Sequence, residues 1–217
     1  MENLKKEHLV GRDIDQTPSI VPAVGVARLW SSFRGRRNTD DLLVEKGRLL
    51  ATVLCKDSLA VSKRLIQKLG EQQRPVDDAR LWPVSVEVMF FLVHYVDRLS
   101  YVLLGDDRQR VLLEALVAET REILAGAYQD GEDAVEFRAA FPQWQSARQT
   151  EYLQYKKMLP EDDESPEQTL FWEVEKKIAE VLGFDNDRRV MLVIGSRLIR
   201  LIEVLDLGGL LADCQSG

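Results

Sequence analysis

Histidine is nearly missing from this chain of 217 residues; His8 and His94 are the two present. Neutral imidazole is the commonest metal ligand, so the scarcity weighs against a transition-metal centre. Cysteine is equally rare, with Cys55 and Cys214 alone. Neither stands in a C-x-x-C pair, so no zinc site or thioredoxin-like motif is indicated. Two such cysteines do not make a disulfide framework, and a reducing compartment is expected. The phosphate-cradling patterns G-x-x-x-x-G-K-[ST] and G-x-G-x-x-G do not occur. Nor do G-x-S-x-G and H-E-x-x-H. With 7 prolines and 13 glycines the chain is neither fibrous nor disordered in composition. No run alternates with period two, and no repeat of fixed length is found. The opening MENLKKEHLVGRDIDQ has no apolar run, so no secretory signal is expected.

What is present is a moderately acidic, charge-rich chain, with a formal net charge of −7 and pI near 5.1. A general nucleic-acid binder would need a basic surface to displace counterions, so that class is excluded. The charge is unevenly placed. Residues 1–38 hold seven basic and four acidic side chains, which makes that segment +3 and the remainder −10. A basic arm on an acidic body either folds back on that body or docks on an anionic partner.

The apolar spacing is helical throughout. Pro22 can open a short helix whose apolar side carries Trp30 and Phe33, with Arg34, Arg36 and Arg37 beside them. Asn38 or Thr39 caps a long helix ending near Gly70, with a bend possible at Lys56-Asp57-Ser58. A central helix spans Pro83 to Leu104, and another runs from Arg108 to about Ala127. A short helix at Ala134–Ala140 is followed by one beginning at Pro142 and ending at Pro160. Ser165, Pro166 and Gln168 read as a start signal for a helix that ends at Leu182 with Gly183 as its C-cap. The last helix begins near Asp187 and runs to about Leu207, and the glycine-rich tail beyond should fray. The expected fold is all-α: one helical-bundle domain over 21–210, with a polar arm (1–20) and a C-terminal tail (211–217). Six to eight helices should surround two highly apolar central ones, 83–104 and 187–207.

The central helix is the most informative segment. It is nearly apolar all round, which normally means burial, yet it carries Glu87, His94, Asp97 and Arg98. Its length approaches that of a membrane span. Each mid-span charge would cost ~2.5–3.5 kcal/mol, so no transmembrane segment is expected. Burying ionisable groups is costly unless they are paired. At 100° per residue Glu87, Phe91, His94, Arg98 and Tyr101 share one stripe. One reading is a hydrogen-bonded network of His94, Asp97 and Arg98 that fixes helix packing, with Arg197 and Arg200 as possible partners and Arg148 or a tyrosine for Glu87. The other is a ligand or metal centre at Glu87, His94, Asp97, Arg98 and Tyr101. The Glu-to-His spacing does not fit the Glu-x-x-His pair of di-iron bundles.

A second cluster, Trp144, Arg148, Tyr152 and Tyr155, lies near one side of the 142–159 helix. If exposed it would suit partner binding, because aromatics and arginine are enriched at interface centres. Trp30 and Arg34 are further contact candidates. Peripheral membrane contact through that arm is not expected, since its apolar face is short. The reading that follows is a cytoplasmic, non-enzymatic interaction or regulatory module with a protein partner, no cofactor and no metal. Its alternative is a bundle binding a small ligand or metal at the Glu/His/Asp centre, with or without catalysis.

Overall fold

The structure, a computed structural model, describes residues 39–127, 132–159 and 166–212. Of these, 87% are helical and none forms a strand. The elements in chain order are α1 (Thr39–Glu71), a 3-10 turn (Asp78–Arg80), α2 (Leu81–Leu104), α3 (Asp106–Ala127), α4 (Glu132–Tyr152), a second 3-10 turn (Pro166–Gln168), α5 (Leu170–Leu182), α6 (Arg188–Leu205) and α7 (Leu207–Ala212). The polar arm, Trp30, Arg34, His8 and Cys214 lie outside the described residues.

α2 is the axis of the bundle. It packs against α1, α3, α4, α5 and α7. Its residues from Val84 to His94 are all buried. Each such Val, Leu, Phe or Met side chain contributes roughly 1.5–3 kcal/mol of transfer free energy. α2 is long and apolar enough to cross a membrane, but 67% of its most apolar window is buried inside the bundle. Gly105, at φ 75, ends it with its N–H on the Tyr101 carbonyl, and α3 begins at once.

The second expected central helix is not central. α6 buries Val190, Met191, Ile194, Leu198, Leu201 and Leu205 toward α5 and α1. Its other side leaves Leu192, Arg200 and Glu203 exposed. Apolar content concealed an amphipathic period, and α6 is an outer helix. The side chains of Arg197 and Arg200 therefore do not serve the α2 network.

Local signals place the ends of α5 and α6. Thr169 accepts the Trp172 N–H at 3.3 Å, so the cap of α5 is threonine rather than Ser165. The Pro166 start signal produces only the 3-10 turn. Gly183 takes the left-handed conformation at φ 83 and closes α5. Asp187 caps α6 by accepting from the N–H groups of Arg189 and Val190. Asp206, at φ 42, turns the chain into α7. The segment expected to fray is in fact helical as far as Ala212, because Leu207, Leu210 and Leu211 bury against α2.

α1 runs unbroken through Lys56–Ser58, where no bend is needed. Its buried Ser58 and Ser62 hydroxyls donate to the Cys55 and Ser58 carbonyls at 2.9 and 2.7 Å. α4 is likewise one helix, not two. The proline at 142 removes one backbone donor but faces solvent. Buried Ala134, Phe137, Phe141 and Tyr152 continue one stripe at spacings of three, four and eleven. That common burial outweighs the lost hydrogen bond. α4 ends at Tyr152, short of Pro160, because the chain must leave to pair Lys157 with Thr169.

α1 and α3 approach closely at Gly47. A Cβ there would lie 2.6 Å from the Leu112 carbonyl oxygen and 2.9 Å from the Ala115 Cβ. Gly70 has open space on the same helix. Gly47→Ala should therefore lose ~1–3 kcal/mol through overpacking. Gly70→Ala should gain ~0.5–1 kcal/mol from reduced unfolded-state entropy. Urea denaturation of both variants measures this contrast, and equal effects would refute the close approach.

Candidate functional site

The polar groups of α2 are satisfied mainly from α4 and the segment that follows it. Glu87 is buried and accepts a hydrogen bond from the Arg148 guanidinium. Arg148 also donates to Glu151 at 2.6 Å. Lys177 of α5 reaches Glu151 at 3.1 Å and Glu173 at 3.7 Å. The Tyr155 hydroxyl donates to Glu173 at 3.0 Å. An alternating chain of charges thus joins α2, α4 and α5. Burial pushes the Glu87 carboxyl up, and Arg148 holds it partly down. Burial works against the Arg148 charge too, but the Glu87 and Glu151 carboxylates outweigh it and its pKa rises.

Asp97 and Arg98 are half-buried and serve different partners. Asp97 accepts from the carboxamides of Gln109 on α3 and Gln149 on α4. Arg98 donates to the backbone carbonyls of Tyr155 and Lys156, where α4 has unwound. Neither forms an ion pair with the other or with His94. The network expected around these three residues is replaced by two separate clamps. Adjacent positions on a helix point about 100° apart, so Asp97 turns to Gln109 and Gln149 while Arg98 reaches the segment that follows α4.

His94 is fully buried against Tyr152, with ring centroids 5.5 Å apart. Neither of its ring nitrogens has a hydrogen-bond partner. Burial, aided by the Arg98 charge, drives its pKa down to about 4. The Gln149 carboxamide lies near enough to offset part of that shift, but its NH2 is committed to Asp97. The Tyr152 hydroxyl, Glu87 Oε2 and Arg148 Nε are also buried without a hydrogen bond. Sites of this kind commonly hold structural water. Tyr101, at the far end of the stripe, is 58% exposed and takes no part.

The cluster expected as an exposed contact face is mostly interior. Tyr152 is completely buried and Arg148 is drawn inward by Glu87. Tyr155 is half-buried on Glu173. Only Trp144 faces solvent, at 48% exposure. It belongs to a different feature: an apolar cleft of about 420 Å³ between α2, α4 and α5. Trp82, Val86, Phe90, Phe137 and Trp144 line it, and Glu87 and Arg148 form part of its wall. Phe137 lies edge-on to both Trp82 and Trp144, with centroids 6.2 and 5.8 Å apart. Trp82, Phe90 and Phe137 were invisible as site residues while α4 was divided at Pro142. Their common face exists only when Phe137 and Trp144 share one helix.

No protein-family model, curated protein or solved structure matches this chain. The chemistry of the site therefore rests on its own geometry. His94 is absent from the cleft wall, and burial makes it a poor base. The Cys55 thiol is buried beside Met89, and burial pushes its pKa up to about 12. Among the described residues no three His, Cys, Asp or Glu side chains are grouped to hold a metal ion. What the arrangement offers is apolar recognition over a rigid, charged support.

Two outcomes follow. Arg148→Ala should strand the Glu87 carboxylate and cost ~3–5 kcal/mol, while Glu87→Leu with Arg148→Met should recover most of it. Chemical denaturation tests this, and a single-variant loss below ~1 kcal/mol would dismiss the pair as a support. His94 resists protonation when folded, so the unfolded chain binds the extra proton between pH 6.5 and about 4. Stability should fall through that window as pH drops, by roughly 3 kcal/mol from this residue. His94→Phe should remove that part of the pH slope; an unchanged slope would show that His94 is solvated.

Proposed function

We propose that this chain is a non-catalytic interaction module of the cytoplasm that takes an apolar or aromatic side chain of a protein partner into the Trp82–Trp144 cleft. The observation that carries this reading is the cleft itself. Its aromatic wall is partly open, and Trp144 stands half-exposed at its edge. Buried aromatic anchors in such pockets dominate the energetics of protein interfaces.

The polar groups favour a protein side chain over a small polar ligand. Small-ligand sites converge free donors and acceptors on the ligand. Here Glu87 and Arg148 engage each other, and Arg148 also engages Glu151. They stiffen the wall and lower the entropy lost on docking. Glu87 and Asp97 have separate partners and His94 makes no hydrogen bond, which does not support a shared ligand or metal centre. The cytoplasmic placement is part of the same proposal, supported by the free, buried Cys55 thiol.

Ala147 lines the cleft and is exposed, so it can carry a photoreactive phenylalanine without entering the core. In extracts of the native host, that probe should yield a discrete protein adduct. The same probe at exposed Val102 should not. Trp144→Ala should remove the adduct while shifting the melting temperature by less than about 3 °C, as expected for a change outside the core. An adduct indifferent to Trp144, or none at position 147, would reject the proposal.

A further inference from the structure

We infer a second binding site, independent of the aromatic cleft, in which Glu175 receives a protonated amine whose apolar body rests on Trp172, Met191 and Leu192. These residues line a separate cleft of about 410 Å³ between α5 and α6, to which Pro166 and Glu167 also contribute. Trp172 and Glu175 are three residues apart on α5. Arg188, Met191, Leu192 and Gly195 follow at spacings of three, one and three on α6. Both sets therefore present one helical side to the same space.

Glu175, which is half-buried, differs from Glu87, Glu173 and Asp97. Glu87 has Arg148, Glu173 has Lys177 and Tyr155, and Asp97 has two carboxamides. Among the described residues Glu175 makes no hydrogen bond or ion pair. Its carboxyl is seated directly on Gly195. A Cβ at that position would overlap Oε1 and lie 2.8 Å from Cδ. Glycine thus makes the space in which this carboxyl turns toward α6. Burial alone raises its pKa to about 7.

The other charged groups of the cleft do not neutralise it. Arg188 of α6 and Glu167 of the 3-10 turn are joined to each other at 3.4 Å on the exposed rim. On α5 itself, Lys176 and Lys177 turn to Glu173, at 3.8 and 3.7 Å. A ligand cation would supply the missing charge. Trp172 adds an aromatic surface suited to an ammonium group, while Met191 and the exposed Leu192 provide apolar contact. A neutral ligand of the same shape would leave the carboxylate without a partner.

The test uses phenethylamine, with 2-phenylethanol as its neutral counterpart, and follows the Trp172 indole N–H resonance. Phenethylamine should bind at least about tenfold more tightly than the alcohol at pH 8, as a charge-assisted contact requires. Its affinity should weaken about tenfold on going to pH 6, because Glu175 must lose its proton to bind. Glu175→Gln should remove both the preference and the pH dependence. Gly195→Ala, which pushes the carboxyl from its seat, should weaken the amine and leave the alcohol unchanged. Nα-acetyl-lysine methylamide distinguishes the source: tighter binding than phenethylamine points to a lysine of a protein, weaker binding to a free amine. Equal binding of amine and alcohol, an amine affinity unchanged in Glu175→Gln, or no shift of Trp172 by either compound would overturn the site.

Discussion

The ion pair between Arg148 and Glu87 is the contact on which the arrangement of α4 depends. α2 is buried on every side from Val84 to His94. A carboxylate inside such a surface admits few solutions. It needs a cation, and the cation must come from a neighbouring helix at one level along the axis. Arg148 supplies it, which sets both the height and the rotation of α4. Phe137, Phe141 and Tyr152 are then brought to the core by helical spacing. Trp144 is left between the buried stripe and solvent, and the cleft exists because of that intermediate position.

The rest of the charge chain extends the same constraint to α5. Glu151 and Glu173 are held between Arg148, Lys177 and Tyr155. None of these contacts is worth much alone at a partly exposed position. Their value lies in shared partners: once Arg148 is fixed by Glu87, the ordering cost of Glu151 and Lys177 is already reduced. The support of the cleft is therefore a set of mutually dependent side chains rather than one strong bond.

Much of the fold was legible in the sequence. The spans of α1, α2 and α3 follow from apolar period, and Gly105, Gly183 and Asp187 mark ends where expected. Of the two donors offered for Glu87, Arg148 or a tyrosine, it is Arg148 that pairs with it. Three departures share one physical origin: a local signal is outweighed by burial. Pro142 reads as a helix start, yet the buried stripe runs through it. Gly208 and Gly209 read as a fraying end, yet Leu207, Leu210 and Leu211 find α2. Ser165 and Pro166 read as a cap, yet Thr169 holds it. The site was less legible. Tyr152 is polar at its tip and sits beside exposed positions, so its complete burial depends on tertiary packing against His94. The cleft is made by residues more than forty positions apart, Phe90 and Phe137, and no spacing rule links them.

Arg98 carries a consequence of another kind. Its guanidinium holds the carbonyls of Tyr155 and Lys156, and the next residues bridge to Thr169 at the head of α5. The exit of α4 and the entrance of α5 are thus pinned through one side chain of α2. α4 cannot detach at its C-terminal end without releasing that bridge and the charge chain together. Amide protons at the end of α4 and the start of α5 should exchange with solvent through one common opening, as a single cooperative unit. A protease seeking the turn after Tyr152 meets the same barrier.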